Sequence, residues 1–260
     1  MEVNPQAARA FGSQAEAYER GRPGWPADAV AGLLERFGSG TVLDLAAGTG
    51  KLTRVLAERA DTVIAVEPVE GMRRVLREQL PHVRAIDGTA EAIPLPNGCV
   101  DAVFVAEAFH WFDPPVAAAE IGRVLKPGGG LALLWNTPGW EGIDWFAELH
   151  EIVMEHRGRG ASNMRDTVPW RAALEAEPRF GRLHDEEATH DHVTTADELV
   201  DQIASFSSIG ALPPDRLAAA LAACREVLAR HGVDRLTLTY RTLITWAQTK
   251  RAGESLGSAG

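Results

Sequence analysis

Short apolar runs alternate with amphipathic stretches of helix length along the first half of the chain. Thr41–Ala46 (TVLDLA), Thr62–Glu67 (TVIAVE), Val83–Asp87, Val100–Ala106 (VDAVFVA) and Leu131–Asn136 (LALLWN) are short and rich in β-branched and apolar residues, as buried strands are. Between them, Asp28–Phe37, Thr49–Arg59, Glu70–Leu80 and Pro115–Leu125 place apolar residues at helical spacing. The last of these stops at Lys126-Pro127-Gly128-Gly129, where proline and glycine end a helix. Strand and helix taken in turn predict a parallel sheet covered on both faces.

The second half is patterned differently. Trp140–Arg159 reads as a helix with an apolar stripe through Trp145, Leu149, Ile152 and Val153. A looser polar segment runs to Arg182. A strand over His184–Thr194 follows, then helices over Ala196–Phe206 and Pro213–His231, and Leu236–Trp246 (LTLTYRTLITW) alternates as a strand does. At the other end, residues 1–26 leave room for a short helix before Gly21-Arg22-Pro23-Gly24-Trp25-Pro26, which forbids regular structure. The tail from Gly253 is expected to be disordered.

The 260 residues, 45% hydrophobic and 24% charged, suffice for one α/β domain with an embedded insertion. No run is long and apolar enough to span a bilayer, and MEVNPQAARA lacks the layout of a signal peptide. The two cysteines, Cys99 and Cys224, offer neither a disulfide framework nor a zinc site. A cytoplasmic protein without membrane or metal partners is expected. A net charge of −10 argues against a nucleic-acid partner, because such affinity comes from Lys and Arg neutralising phosphates.

The candidate chemistry begins at Ala47-Gly48-Thr49-Gly50, between the first strand and the next helix. A P-loop fails there, because Gly50-Lys51 is followed by Leu52 and the magnesium-binding hydroxyl is missing. A dinucleotide fingerprint is weakened by Thr53 at its third glycine. Asp44, two residues before the turn, can reach the turn's N–H groups or a ligand ammonium. Glu67, ending the second strand, can accept both hydroxyls of a ribose.

These residues carry a resemblance. Val42-Leu43-Asp44-Leu45-Ala46-Ala47-Gly48-Thr49-Gly50 is similar to the first motif of class I S-adenosylmethionine-dependent methyltransferases. Val66-Glu67-Pro68 with Met72 is similar to their ribose-binding second motif. Asp87–Leu95 resembles their adenine-side segment, and Val124–Gly129 the turn before their fifth strand. The likeness covers about residues 40–136. It is nearest the branch with an N-terminal RPxYP-like element and a His-Trp-Phe after strand four, which includes trans-aconitate-type methyltransferases. Two departures are plain: Ala46 replaces the first motif glycine, and Trp25 stands where that branch often has tyrosine.

The resemblance implies a Rossmann-like α/β fold, a three-layer sandwich whose seven-stranded, mostly parallel sheet has an antiparallel last strand. It implies S-adenosylmethionine as cofactor and S-adenosylhomocysteine as product. The expected cofactor residues are Asp44, Ala46, Gly48, Gly50, Glu67, Pro68, Met72, Thr89, Ala90, Glu91 and Glu107, joined by Tyr18 and Arg22 as candidates for the cofactor's carboxylate end, because an N-terminal segment must cover that side of the sheet; an exposed loop arginine is the alternative for Arg22. Within one domain, residues 1–26 would cover the cofactor, 27–136 hold it, 137–235 supply an acceptor-side lid, and 236–248 form the last strand.

Methyl transfer is an in-line displacement, so positioning carries much of it, and a base is needed only for a protonated acceptor. His110 is the candidate catalytic residue. Trp111, Phe112, Asn136 and Trp140 join it as the expected pocket for a small-molecule acceptor; packing of the following helix is the alternative role for His110, Trp111 and Phe112. Asp113-Pro114-Pro115 resembles the DPPY element of amino-methylating DNA enzymes, but lies too far past strand four and lacks the aromatic. His184, His190 and His192 share one parity, expected as a solvated strand face and not a metal site. His150 and His156, six apart, do not share a helix face. A methyltransferase acting on protein or RNA, a scaffold that binds the cofactor without methylating, and more distantly a nicotinamide oxidoreductase stay open. So do the acceptor's identity, the atom methylated and the oligomeric state.

Overall fold

In the first half of the chain, each expected strand enters a parallel sheet and each expected helix returns the chain across one of its faces. The structure, a computed structural model, describes residues 14–140, 142–157 and 167–251. Among these, α1 (Ala15–Gly21), α2 (Ala27–Phe37), β1 (Thr41–Leu45), α3 (Lys51–Ala57), β2 (Thr62–Val66), α4 (Glu70–Gln79), β3 (Arg84–Ile86) and β4 (Val100–Ala106) come first. They are followed by α5 (Pro114–Val124), β5 (Leu125–Pro138), α6 (Asp144–Arg157), α7 (Trp170–Ala176), β6 (His184–Thr195), α8 (Ala196–Ala204), α9 (Ser207–Gly210), α10 (Pro214–Arg230) and β7 (Arg235–Gln248). The expected tail from Gly253 lies outside the described residues, as does Arg159, the expected end of the helix now seen as α6.

The sheet runs β3-β2-β1-β4-β5-β7-β6. Strands β1 to β5 are parallel, and β7 is antiparallel to β5 and β6. The order reverses between β1 and β4, which opens a crevice beyond their carboxyl ends. Alternation sorts the side chains. Leu43, Leu45, Val103, Val105, Leu131 and Leu133 pack one way, towards α5 and α7, while Val42, Phe104, Ala132 and Leu134 pack the other, towards α2, α3 and α4. A third cluster, built on Trp140, Leu149, Leu199, Val227, Leu238 and Tyr240, gathers α6, α8 and α10 at the carboxyl-edge end of β7.

Boundaries differ from expectation where backbone, and not side-chain pattern, decides. Helix α3 begins at Lys51, not Thr49, because Gly50 holds a left-handed φ of 92°. Strand β5 begins at Leu125: Val100 pairs with Leu125 and Ala102 with Gly130, so Lys126–Gly129 bulge within the strand that they were expected to precede. Helix α7 lies in the stretch read as irregular, and α6 starts at Asp144, leaving Trp140 ahead of it.

Candidate active site

Strand β1 carries Asp44 into the apolar layer shared with α3, where it is 1% exposed. Its carboxylate accepts from the Thr53 hydroxyl at 2.5 Å. The expectation that it reaches the N–H groups of the turn is corrected: Thr53, the residue that spoiled the dinucleotide pattern, is its partner. Ala46 follows at φ 58°, a left-handed conformation that costs an L-residue about 1–2 kcal/mol and that glycine would adopt freely. At Gly48, φ 59°, a side chain would project into open space, so the outer face of the turn is uncovered.

Glu67, 5% exposed, closes the other side. The N–H of Gly48 donates to its Oε2 at 2.9 Å, and the N–H of Val69 donates to Oε1 at 2.8 Å. It thus braces the glycine turn from the end of β2, and each oxygen keeps a lone pair. Arg73 donates to the Glu67 carbonyl and, at 2.9 Å, to Asp87. Burial pushes Glu67 up to about 7 against the two N–H donors and Arg73. Burial also pushes Asp44 up to about 7, with the nearby Glu67 charge adding to it. Two buried carboxyls thus flank an open turn.

Strand β4 is followed by Glu107, another left-handed residue at φ 54°, and its Oε1 accepts the Asn136 N–H from β5 at 2.6 Å. Strain of this kind collects at functional sites. A single 3₁₀ turn, Phe109–Trp111, then sets His110 beside Trp111 with ring centroids 5.1 Å apart, both half-buried. Phe109, fully buried, anchors the turn in the core, and Phe112 packs on it at 5.2 Å. Asp113-Pro114 starts α5, a structural duty for the DPP element, and the Asp113 N–H donates to Glu91.

Residues 14–26, the described part of the N-terminal segment, lie against this edge. Tyr18 lies within electrostatic reach of Glu67, Glu107, Glu19 and Arg22; burial, with the three carboxylates, holds its hydroxyl above its ordinary value. Arg22 stacks over Tyr18 and Phe206 and donates from Nε to Ser205 Oγ at 2.8 Å. Met72, 3% exposed, packs with Ala15, Val75 and Tyr18 beneath α1. Ala90 is buried, while Thr89 and Pro68 are half-buried in the turns after β3 and β2.

The structure therefore brings Tyr18, Arg22, Asp44, Gly48, Glu67 and Glu107 together. Trp140 stands apart in the third cluster, against Phe146 at 4.8 Å and Tyr240 at 5.4 Å. Asn136 bridges two segments: its Nδ2 donates to the Gly24 carbonyl at 3.0 Å and its Oδ1 accepts from Thr242 at 2.6 Å. The solvated-face expectation for β6 holds for His184, which is exposed, and is corrected for His190 and His192. These two lie on the half-buried side of the strand, against Tyr240. Glu19 and Thr242 drew no notice in the sequence, since a lone polar residue on a helix or strand signals nothing until its partner is placed.

Among the described residues no His, Cys, Asp or Glu cluster could hold a metal, and no helix is long and apolar enough to cross a membrane. Residues 43–133 match the methyltransferase domain family. An uncharacterised methyltransferase of Mycobacterium tuberculosis is 43% identical over 221 residues, covering 85% of this chain and 86% of that protein. A methyltransferase-like protein of Schizosaccharomyces pombe is 33% identical, covering 90% and 93%. A candidate type II methyltransferase structure from Anaeromyxobacter dehalogenans superposes with a TM-score of 0.66 at 24% identity, covering 88% of this chain and 99% of that one. A phosphoethanolamine N-methyltransferase of Haemonchus contortus, solved with phosphomonomethylethanolamine and S-adenosylhomocysteine, gives 0.53 at 17%, covering 92% and 57%. The crevice beyond β1 and β4, the braced glycine turn and these relatives agree: the chain belongs to the methyltransferase family and has the Rossmann-like fold of its class I members.

Proposed function

We propose that the protein transfers a methyl group from S-adenosylmethionine to a small-molecule acceptor. One observation carries the cofactor half: two buried carboxyls, Asp44 and Glu67, flank a glycine turn whose outer face is open at Gly48. The donor set fits that cofactor. Glu67 keeps a lone pair on each oxygen for the ribose hydroxyls, and Asp44 offers negative charge for the ammonium or sulfonium. When bound, the sulfonium supplies an activated methyl carbon. The protein's own part is to orient the acceptor and exclude water. Tyr18 and Arg22 cover the methionine side from α1, and His110 and Trp111 stand at the end of β4, where the acceptor must approach.

The small-molecule half is supported by enclosure. Helix α8 and the third apolar cluster meet α1 over the same edge, and the net charge of −10 disfavours a polyanion. Reading residues 1–260 as one domain, with 137–235 as its acceptor side, belongs to the same proposal; β6 within that stretch also extends the sheet.

Calorimetry tests the cofactor half. Glu67→Ala is expected to weaken S-adenosylmethionine binding by about 2–3 kcal/mol, the range for lost charge-assisted hydrogen bonds. Unchanged affinity in a folded variant removes Glu67 from the site. The acceptor half is tested by incubating the protein and a cell extract with methyl-labelled cofactor. Label is expected in the small-molecule fraction; label confined to protein or RNA overturns that half.

A further inference from the structure

The half-buried side of β6 carries a histidine that the methyl-transfer reading does not use. His190 pairs with Tyr240, and Tyr240 pairs with Pro138 at the end of β5, so His190 stands at the carboxyl edge two strands over from β5 and meets Asn136 through Thr242. Its ring lies nearly parallel to that of Tyr240, with centroids 5.8 Å apart, and its Nδ1 is 3.4 Å from Thr242 Oγ1.

The neighbouring hydrogen bonds fix which ring nitrogen is protonated. The Gly24 carbonyl can only accept, so the Asn136 group 3.0 Å from it is the NH₂, and the amide oxygen faces Thr242. That oxygen also can only accept, so the Thr242 hydroxyl commits its one hydrogen to it at 2.6 Å. Towards His190, Thr242 therefore presents a lone pair, and Nδ1 carries the imidazole hydrogen. Burial, opposed by Gly24 and Asp191, holds the imidazole below its ordinary pKa and so neutral near pH 7. Nε2 is left with a bare lone pair, buried and without a partner among the described residues. A buried acceptor without a donor calls for an explanation.

We propose that His190 is a specificity residue of the acceptor site, its Nε2 taking a hydrogen bond from a hydroxyl or amine N–H of the acceptor molecule. The inference rests on the methyl-transfer reading above. It commits to an acceptor with a hydrogen to donate. A molecule whose only polar group is a carboxylate has none and would set its charge against the Nε2 lone pair.

The test uses the full chain labelled with ¹⁵N-histidine and saturated with S-adenosylhomocysteine. His190 is assigned by its loss in His190→Gln, or in His190→Asn should the first fold poorly. Expected is an Nδ1–H tautomer for His190; an Nε2–H tautomer overturns the proposal. Diethyl pyrocarbonate, which acylates only an unprotonated imidazole nitrogen, is then applied with S-adenosylhomocysteine in place. Peptide mass spectrometry is expected to find the label at His190. Labelling of exposed His82 but not His190 overturns the proposal, because no acceptor-sized reagent then reaches Nε2. His190→Gln is expected to bind S-adenosylhomocysteine within twofold of the unaltered protein, and a loss beyond tenfold overturns a role on the acceptor side. If the unaltered protein fails to bind S-adenosylhomocysteine, the methyl-transfer reading fails instead, while tautomer and label still report on His190 in the free chain.

Discussion

The 3₁₀ turn that holds His110 is anchored by Phe109 below it and by Glu107 before it, so the backbone that carries the imidazole is held at the end of β4. An acceptor that donates a hydrogen to His190 also has a proton to lose if that group is the one methylated, and His110 is the candidate base at the end of β4. His110→Ala is expected to lower kcat by about 10²–10⁴ while leaving S-adenosylhomocysteine affinity intact. The acid limb of the pH–rate profile should vanish with it. Steady-state kinetics across pH checks this, and a raised KM with unchanged kcat would reduce His110 to a wall of the pocket. The sequence pointed to His110 because it lies just past the fourth predicted strand, at the carboxyl edge. It placed His190, which shares its parity with His184, on a solvated strand face. Both point to the same face, His184 exposed and His190 half-buried, and only what lies over each end of that face sets the difference.

Helix α1 is seven residues long and too short to persist alone, so what it touches holds it in place. Glu19 is the hinge pin on one side. It accepts from the Thr49 hydroxyl at 2.7 Å and from Arg54 at 2.9 Å, with Lys51 at 4.0 Å, and so ties α1 to the helix that leaves the glycine turn. On the other side Arg20 donates to Asp201 at 2.7 Å. At Gly21 a side chain would fall on the main chain of Gln202, so α1 and α8 meet backbone to backbone. Removing the carboxylate should loosen the cover without touching the sheet. Glu19→Gln is expected to speed S-adenosylhomocysteine release by about tenfold, the effect of losing roughly 1.4 kcal/mol from bonds to a charged group. Stopped-flow displacement measures it, and an unchanged rate would show that α1 does not gate the cofactor. Strands β1, β2 and β4 were legible to within a residue or two, since apolar runs buried on both faces have few other uses. Helix α7 was not, because its seven residues bury only Leu174 and leave no periodic stripe. The bulge at Lys126–Gly129 was read as a turn because glycine and proline mark both, and only the pairing with β4 tells them apart.

Burying two carboxyls beside each other leaves a mark on the stability of the entire fold. Asp44 and Glu67 titrate at about 7 when folded, against roughly 3.9 and 4.3 in an unfolded chain. Between about pH 4 and 7 the folded protein therefore keeps protons that the unfolded chain has released. Stability then falls as pH rises through this window and levels off above 7. Surface carboxylates act in the opposite sense. Arg123 holds Glu120 below its ordinary value, and the Thr195 N–H does the same for Glu198, so their contribution is lost only as pH falls through the acid range. A stability maximum near pH 5 follows for the ligand-free protein, with a lower melting temperature at pH 8. Cofactor binding should change the balance, because the hydroxyls of a ribose and a positively charged sulfonium or ammonium select the ionised carboxylates. S-adenosylmethionine affinity is accordingly expected to rise with pH up to about 7, with protons released on binding below that point. Calorimetry at pH 6 in two buffers of different ionisation enthalpy reads the released protons directly. Asp44→Asn removes one of the two groups while keeping an oxygen for the Thr53 hydroxyl. Thermal melts of this variant should show a shallower fall between pH 5 and 8, by roughly half if the two carboxyls contribute alike. An undiminished slope would mean that the pH dependence arises elsewhere, and that Asp44 is ionised in the folded protein without the cofactor to stabilise it.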